Sequence, residues 1–137
     1  MSSLASGHRF FLDRDLGGRQ VASGLRASGW DVVTANERYT PAVAEGLADP
    51  DWIRDVAAEF VAISSDHSIG KRAIQTEAIR LTSARILIVS ANATAEDQTK
   101  LLLDHAAPIF RLIDRREGPW VYGVRADGLR SIHLLRI

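Results

Sequence analysis

The sequence predicts an α/β protein. It reads as a three-layer α/β/α sandwich with a mainly parallel, Rossmann-like central sheet and a C-terminal antiparallel hairpin. Three observations carry this. Four short apolar or β-branched runs, at Arg9–Leu12, Asp31–Thr34, Val61–Ser64 and Arg85–Val89, are separated by longer, mostly helix-like stretches. Phe10-Phe11-Leu12 and Ile86-Leu87-Ile88-Val89 are continuously apolar, as strands buried on both faces are. Two later runs, Trp120–Val124 and Arg130–Leu135, flank Asp127-Gly128, which is a hairpin signal. Strand-then-helix units imply a parallel sheet covered on both faces, and the last two runs add an antiparallel edge.

Taken in order, the first strand, Arg9–Leu12, runs into Asp13-Arg14-Asp15 and then Leu16-Gly17-Gly18, which turns the chain. A helix is expected from Gly17 to Ser28, with Val21 and Leu25 on one face and Gly29 just past its end. After the second strand, residues 35–47 read as loop, broken by Pro41 and Gly46. Asp49-Pro50 opens the next helix, with Asp49 as N-cap and Pro50 at its first position. Trp52, Ile53, Val56, Ala57 and Phe60 form its apolar stripe. The third strand ends in Ser65-Asp66. A helix from Gly70 to Leu81 follows, with Ile74, Ala78 and Leu81 on one face. Thr94-Ala95-Glu96-Asp97 looks like a capping box. Pro108 is expected to end or kink the helix that follows, with a second piece over Ile109–Arg115.

At 137 residues the expectation is one domain, residues 1–137, with residues 1–8 as a flexible tail. No signal peptide or membrane span is legible, and there is no cysteine, which fits the cytoplasm. The net charge of zero hides an asymmetry. Residues 1–70 hold six arginines against ten acids, and residues 71–137 hold eleven basic residues against seven acids. An acidic half and an arginine-rich half suit a metal site beside a phosphate-binding surface, although a bias toward arginine across the genome would give the same count.

The chemistry gathers at one edge of the sheet. Right-handed crossovers put the carboxyl ends of the parallel strands together, so Asp13 and Asp66 share an edge. Helices run antiparallel to these strands, so the helix opening at Asp49 points its N-terminus the same way. Three uncompensated carboxylates repel and raise one another's pKa, and a divalent cation removes that penalty. All-oxygen ligands without His or Cys suit Mg²⁺ or Mn²⁺. Each acid also has a structural reading. Asp49 and Asp66 serve as caps or turn formers, and Asp51 complements a helix dipole. Glu77 pairs with Arg80. Asp15 points away from Asp13 if the strand persists. Lys71 and Arg72 either steady phosphates near a helix N-terminus or form a solvated face. His8, His67, His105 and His133 show no metal-ligand spacing.

At this point the sequence resembles PIN-domain ribonucleases, in particular the toxin subunits of bacterial VapBC toxin–antitoxin pairs and their PIN-like relatives. The segments that carry the resemblance are Phe10–Gly17 (FFLDRDLG), Asp49–Ile53 (DPDWI), Ala62–Ile69 (AISSDHSI), Thr76-Glu77-Ala78 and Gly118–Tyr122. They span roughly Arg9 to Val124. The resemblance implies a compact α/β/α sandwich and Mg²⁺-dependent cleavage of RNA. It also implies a small antitoxin partner near the acidic pocket and a homodimer. Carried over by residue, Asp13 matches the first metal-binding aspartate, Asp49 the acid opening the helix before the third strand, and Asp66 the aspartate after that strand. Glu77 and Glu37 both fit the fourth acidic position, and Asp51 competes with Asp49.

Two rival readings stand beside this one. Phe-Phe-Leu-Asp13-Arg14-Asp15 also resembles the opening motif of haloacid-dehalogenase-type phosphatases, with Asp13 as nucleophile, Asp15 as acid/base and Ser90 as the hydroxyl. Against it, no late acidic pair follows a strand. A non-catalytic, protein-binding PIN-like or receiver-like domain is the other, but a receiver's terminal lysine is missing where Arg125 stands.

Overall fold

The structure, a computed structural model, describes residues 7–16 and 18–135. Within them the chain forms β1 (Arg9–Leu12), α1 (Gly18–Ala27), β2 (Asp31–Thr34), α2 (Ala35–Tyr39), α3 (Pro41–Gly46), α4 (Asp49–Val56) and β3 (Val61–Ser64). There follow α5 (Ala73–Thr82), β4 (Arg85–Ile88), α6 (Ala95–Asp104), α7 (Ala106–Arg115), β5 (Trp120–Arg125) and β6 (Gly128–Ser131). One six-stranded sheet has the order β2-β1-β3-β4-β5-β6. The first five strands are parallel, and β6 pairs antiparallel with β5. This is the mainly parallel α/β architecture with a C-terminal antiparallel hairpin that the sequence predicts.

Alternation along β1 builds both layers at once. Phe10 and Leu12 face α1, α6 and α7, where they meet Val21, Leu25, Leu102 and Phe110. Phe11 faces the opposite layer and meets Trp52, Val56 and Phe60. Both phenylalanines are fully buried, each worth about 2–3 kcal/mol in transfer free energy. The absence of a side chain at Gly24 lets α1 close on α6, since a Cβ there would lie 2.4 Å from Thr99 Cγ2. Gly29 ends α1 in the left-handed conformation, φ 89°. His8, expected in the tail, stacks on Phe110 and lies 3.4 Å from Asp114. Residues 1–6 of that tail and Gly17, the expected start of α1, lie outside the described residues.

Several sequence expectations need correction. Residues 35–47 are not a loop but two short helices, α2 and α3. A full capping box at Thr34 and Glu37 starts α2. Thr94 accepts from the Asp97 amide without the reciprocal arm, so the box expected there is only half present. The expected long helix breaks at His105 rather than at Pro108, because the proline removes its hydrogen bond to the carbonyl four residues earlier, that of Asp104. Asp49 is the first residue of α4, not its N-cap. Ala48 holds that place and Pro50 is second. Ile74 and Leu81 are exposed, and α5 instead buries Gln75, Thr76, Ala78 and Ile79. Beyond Ser131 the last expected strand does not continue. Leu135 instead donates its amide to the Gly70 carbonyl. Among the described residues no helix is long and apolar enough to cross a membrane.

Candidate functional site

β1 lies between β2 and β3, and its outgoing helix α1 covers one face of the sheet while α5, leaving β3, covers the other. The crevice between the carboxyl ends of β1 and β3 is therefore a topological switch point, where ligands bind in open α/β sheets. Asp13 follows β1 directly and donates its amide to the Ile63 carbonyl of β3, so the ladder extends one residue past the strand. By the same alternation its side chain points toward the α4/α5 layer.

Asp13 is only 6% exposed. The Ser64 hydroxyl donates to its Oδ2 at 2.8 Å, and the same oxygen of Ser64 accepts the Asp66 amide at 3.1 Å. One serine thus ties the two aspartates' loops together. Burial pushes the Asp13 carboxyl up to about 6, against the Ser64 bond, with the charges of Asp49 and Asp15 adding to the rise.

Asp49 is held from two sides. Trp52 Nε1 donates to Oδ1 at 2.9 Å and Gln75 Nε2 donates to Oδ2 at 2.8 Å. Burial raises its pKa, the Trp52 bond opposes this, and Asp66, within hydrogen-bonding reach, raises it further. Asp66 receives the amide and hydroxyl of Ser68 on Oδ1, at 2.9 and 2.6 Å. Burial pulls Asp66 upward, but the Ser68 bonds, its contact with Asp49 and the Arg72 charge hold it below the ordinary value. The contact between the two carboxyl groups thus raises the Asp49 pKa and lowers that of Asp66.

The other predicted acids sit differently. Asp15 is exposed, 3.9 Å from Arg14 Nε, and its charge reaches both Asp13 and Asp49. Asp51 and Glu77 are exposed, and neither side chain has a hydrogen bond or ion pair among the described residues. In particular, Glu77 does not pair with Arg80. Glu37 receives Arg26 Nη2 at 2.5 Å and the Thr34 amide at 2.9 Å, which lower its pKa. Its place is structural, at the α2 cap, though it also lines a cavity that reaches Asp13. Arg72 precedes α5 and bears on Asp66, whereas Lys71 borders a separate depression with Gly70 and His133.

Sequence reasoning missed Ser64, Trp52 as a hydrogen-bond donor, and Gln75. Ser64 was readable only as part of an apolar strand and Trp52 only as core. Gln75 carries a usable signal, a polar residue on what becomes the buried face of α5. Its Oε1 is buried and has no hydrogen-bond partner among the described residues.

Asp49 lies near both Asp13 and Asp66, but the expected convergence of all three on one ion is not seen: among the described residues no group of three His, Cys, Asp or Glu side chains is placed to hold a metal ion. The donor set still fits a hard divalent cation. It is all oxygen, its neighbours are neutral donors, and none of the three carboxylates is ion-paired among the described residues.

Comparison with known proteins shows the family. The family model described as a PIN-like domain matches residues 8–91, which include all three aspartates. The chain is 31% identical over 123 residues to "Putative ribonuclease VapC45" of Mycobacterium tuberculosis, covering 88% of each protein. No solved structure gives a significant match. The matches lend nothing to the phosphatase alternative built on Asp13 and Asp15. Matched in this way over most of its length, and carrying its acids at the switch point of a parallel sheet, the chain belongs to the PIN-like domain family.

Proposed function

We propose that this protein is a divalent-metal-dependent endoribonuclease and the toxin of a toxin–antitoxin pair. The observation that carries the reading is the buried Asp13 carboxylate facing Asp49, itself paired with Asp66, at the switch point of a PIN-like sheet. Asp13, Asp49 and Asp66 would hold Mg²⁺ or Mn²⁺. When bound, such an ion neutralises developing charge on a phosphodiester and activates water. The chain's own residues provide position. Ser64 orients Asp13, Trp52 and Gln75 fix Asp49, and Ser68 fixes Asp66. These donors are neutral, so they orient the carboxylates without cancelling their charge. Arg72, beside Asp66, is placed to meet a substrate phosphate, with Lys71 next to it.

The relative's printed name is that of a ribonuclease, which supports RNA as substrate. Family membership supports a small antitoxin protein as partner, a homodimer and a cytoplasmic setting as parts of the same proposal. The test is cleavage of single-stranded RNA by purified protein. Activity is expected with Mg²⁺ or Mn²⁺, abolished by EDTA, and lost in Asp13→Asn and Asp66→Asn. An Asp13→Asn protein as active as the parent would sink the mechanism.

A further inference from the structure

A cavity of about 440 Å³ opens over the carboxyl ends of β1 and β2, between α1 and α2, and Asp13 forms part of its wall. Its volume falls within the roughly 300–1,000 Å³ of small-molecule sites. It therefore adjoins the acidic site without being the crevice between β1 and β3 that the three aspartates share.

Its lining has three kinds of surface. Leu16, Ala22 and Ala35, all buried, give it an apolar floor. Ser23 and Asn36 stand on opposite walls, exposed, and neither side chain has a hydrogen bond among the described residues. Arg14 and Arg19 are exposed at its border. Arg19 has no ion pair among the described residues, and Arg14 has only the 3.9 Å contact with Asp15. Of the other charged residues in the lining, Arg26 and Glu37 are bonded to each other, which leaves the Asp13 carboxyl. The cavity thus offers an apolar bed, free polar groups and two available guanidinium groups beside a candidate catalytic carboxylate. A nucleotide has the matching parts: a flat base with hydrogen-bonding edges, a sugar and a phosphate.

We propose that this cavity is a subsite for one unpaired nucleotide of the RNA, which takes the base of a residue adjoining the phosphate held at the acidic edge. Arg19 and Arg14 meet its backbone, and Ser23 and Asn36 meet its base or sugar. The inference rests on the ribonuclease reading and adds to it a residue set that sets sequence preference.

The test uses the full chain in the Asp13→Asn background, so that RNA is bound and not cut. Short fluorescent single-stranded RNAs carry one abasic residue, moved along the strand, and affinity is read by anisotropy in Mg²⁺. Removing the base at one position is expected to weaken binding about tenfold, while the other positions change little. Ser23→Trp, which fills the cavity, is expected to weaken binding of intact RNA by about the same factor and to cancel the abasic penalty, as two losses of one contact do. Asn36→Ala, which leaves the cavity open, is expected to reduce that penalty. Arg19→Ala is expected to weaken binding for every RNA and leave the abasic profile unchanged.

A flat abasic profile, or one that survives both Ser23→Trp and Asn36→Ala, overturns the subsite. Metal-dependent cleavage by the protein with Asp13 intact is measured in parallel. Cleavage with a flat profile refutes the subsite alone, and the predicted profile without cleavage refutes the nuclease reading alone.

Discussion

The two ends of β1 treat charge in opposite ways. At the amino end, Arg9 reaches Asp31 of β2 at 3.3 Å and Glu59, just before β3, at 2.9 Å. Nearby, Asp55 at the far end of α4 is bonded by Arg38 at 2.8 Å and by the Tyr39 hydroxyl, and its pKa is lowered. At the carboxyl end, a few residues away along the same strands, Asp13, Asp49 and Asp66 form no ion pair among the described residues, and only the Arg72 charge bears on one of them, Asp66. Their direct partners are Ser64, Trp52, Gln75 and Ser68. Acids that support the fold are neutralised where they stand. The acids at the carboxyl edge are oriented mainly by neutral donors, and burial raises the pKa of Asp13 and Asp49, at a cost to stability of the kind functional sites commonly carry.

The largest expected effect tests that cost directly. Asp13 binds its proton more tightly folded than unfolded, so its contribution is unfavourable above about pH 6 and vanishes below the ordinary value of 3.8. The metal-free protein should therefore gain stability from this group as pH falls from 7 toward 4, by up to about 3 kcal/mol. Asp13→Asn should gain a similar amount at pH 7 and flatten that slope while losing RNA cleavage. Denaturant melts in EDTA across pH check both. Asp66 and Asp55, whose pKa values are lowered, act oppositely, and their stabilisation is lost only as pH drops through and below 3.8.

Next in size is Gln75→Leu, which keeps the buried volume and removes the donor to Asp49 Oδ2. Outer partners of this kind are worth roughly 10–100-fold in metal affinity. Affinity should fall by that order with little change in melting temperature without metal. Mn²⁺ titration and a parallel melt separate the two effects. A Gln75→Leu protein that binds Mn²⁺ normally would show that Asp49 needs no clamp.

The smallest effect belongs to the amino edge. Arg9 is half exposed and its pairs are screened, so Arg9→Ala should cost about 1 kcal/mol or less, diminishing with added salt, and leave RNA cleavage unchanged. A change in activity from Arg9→Ala would break the division between the two edges.

The strands were legible because their apolar runs are nearly uninterrupted. All six were placed, with β1, β2 and β3 at their observed bounds, and the acidic edge followed from topology. The helices were less legible where local rules compete. Thr34 and Glu37 spell a capping box, yet α2 spans only Ala35–Tyr39 and has too few turns for apolar spacing to register. Pro41, read as a breaker, instead stands at the first position of α3. On α5 the apolar pattern pointed to Ile74 and Leu81, but the structure buries Gln75 and Thr76. There Gln75 reaches Asp49, and the Thr76 hydroxyl donates to the Gly70 carbonyl in the loop after Asp66. Hydrophobic patterning failed on that helix because its inner face carries hydrogen bonds to Asp49 and to the Gly70 carbonyl as well as core contacts. Ser64 was hidden for a related reason, since its hydroxyl matters only once β1 and β3 lie side by side.

The central claim is that the carboxyl-edge acids form a metal site, and Mn²⁺ binding followed by electron paramagnetic resonance tests it most directly. The parent protein should bind Mn²⁺ in competition with Mg²⁺, and Asp13→Asn and Asp66→Asn should each weaken that binding by at least about tenfold. Equal Mn²⁺ affinity in the parent and both variants would contradict the account.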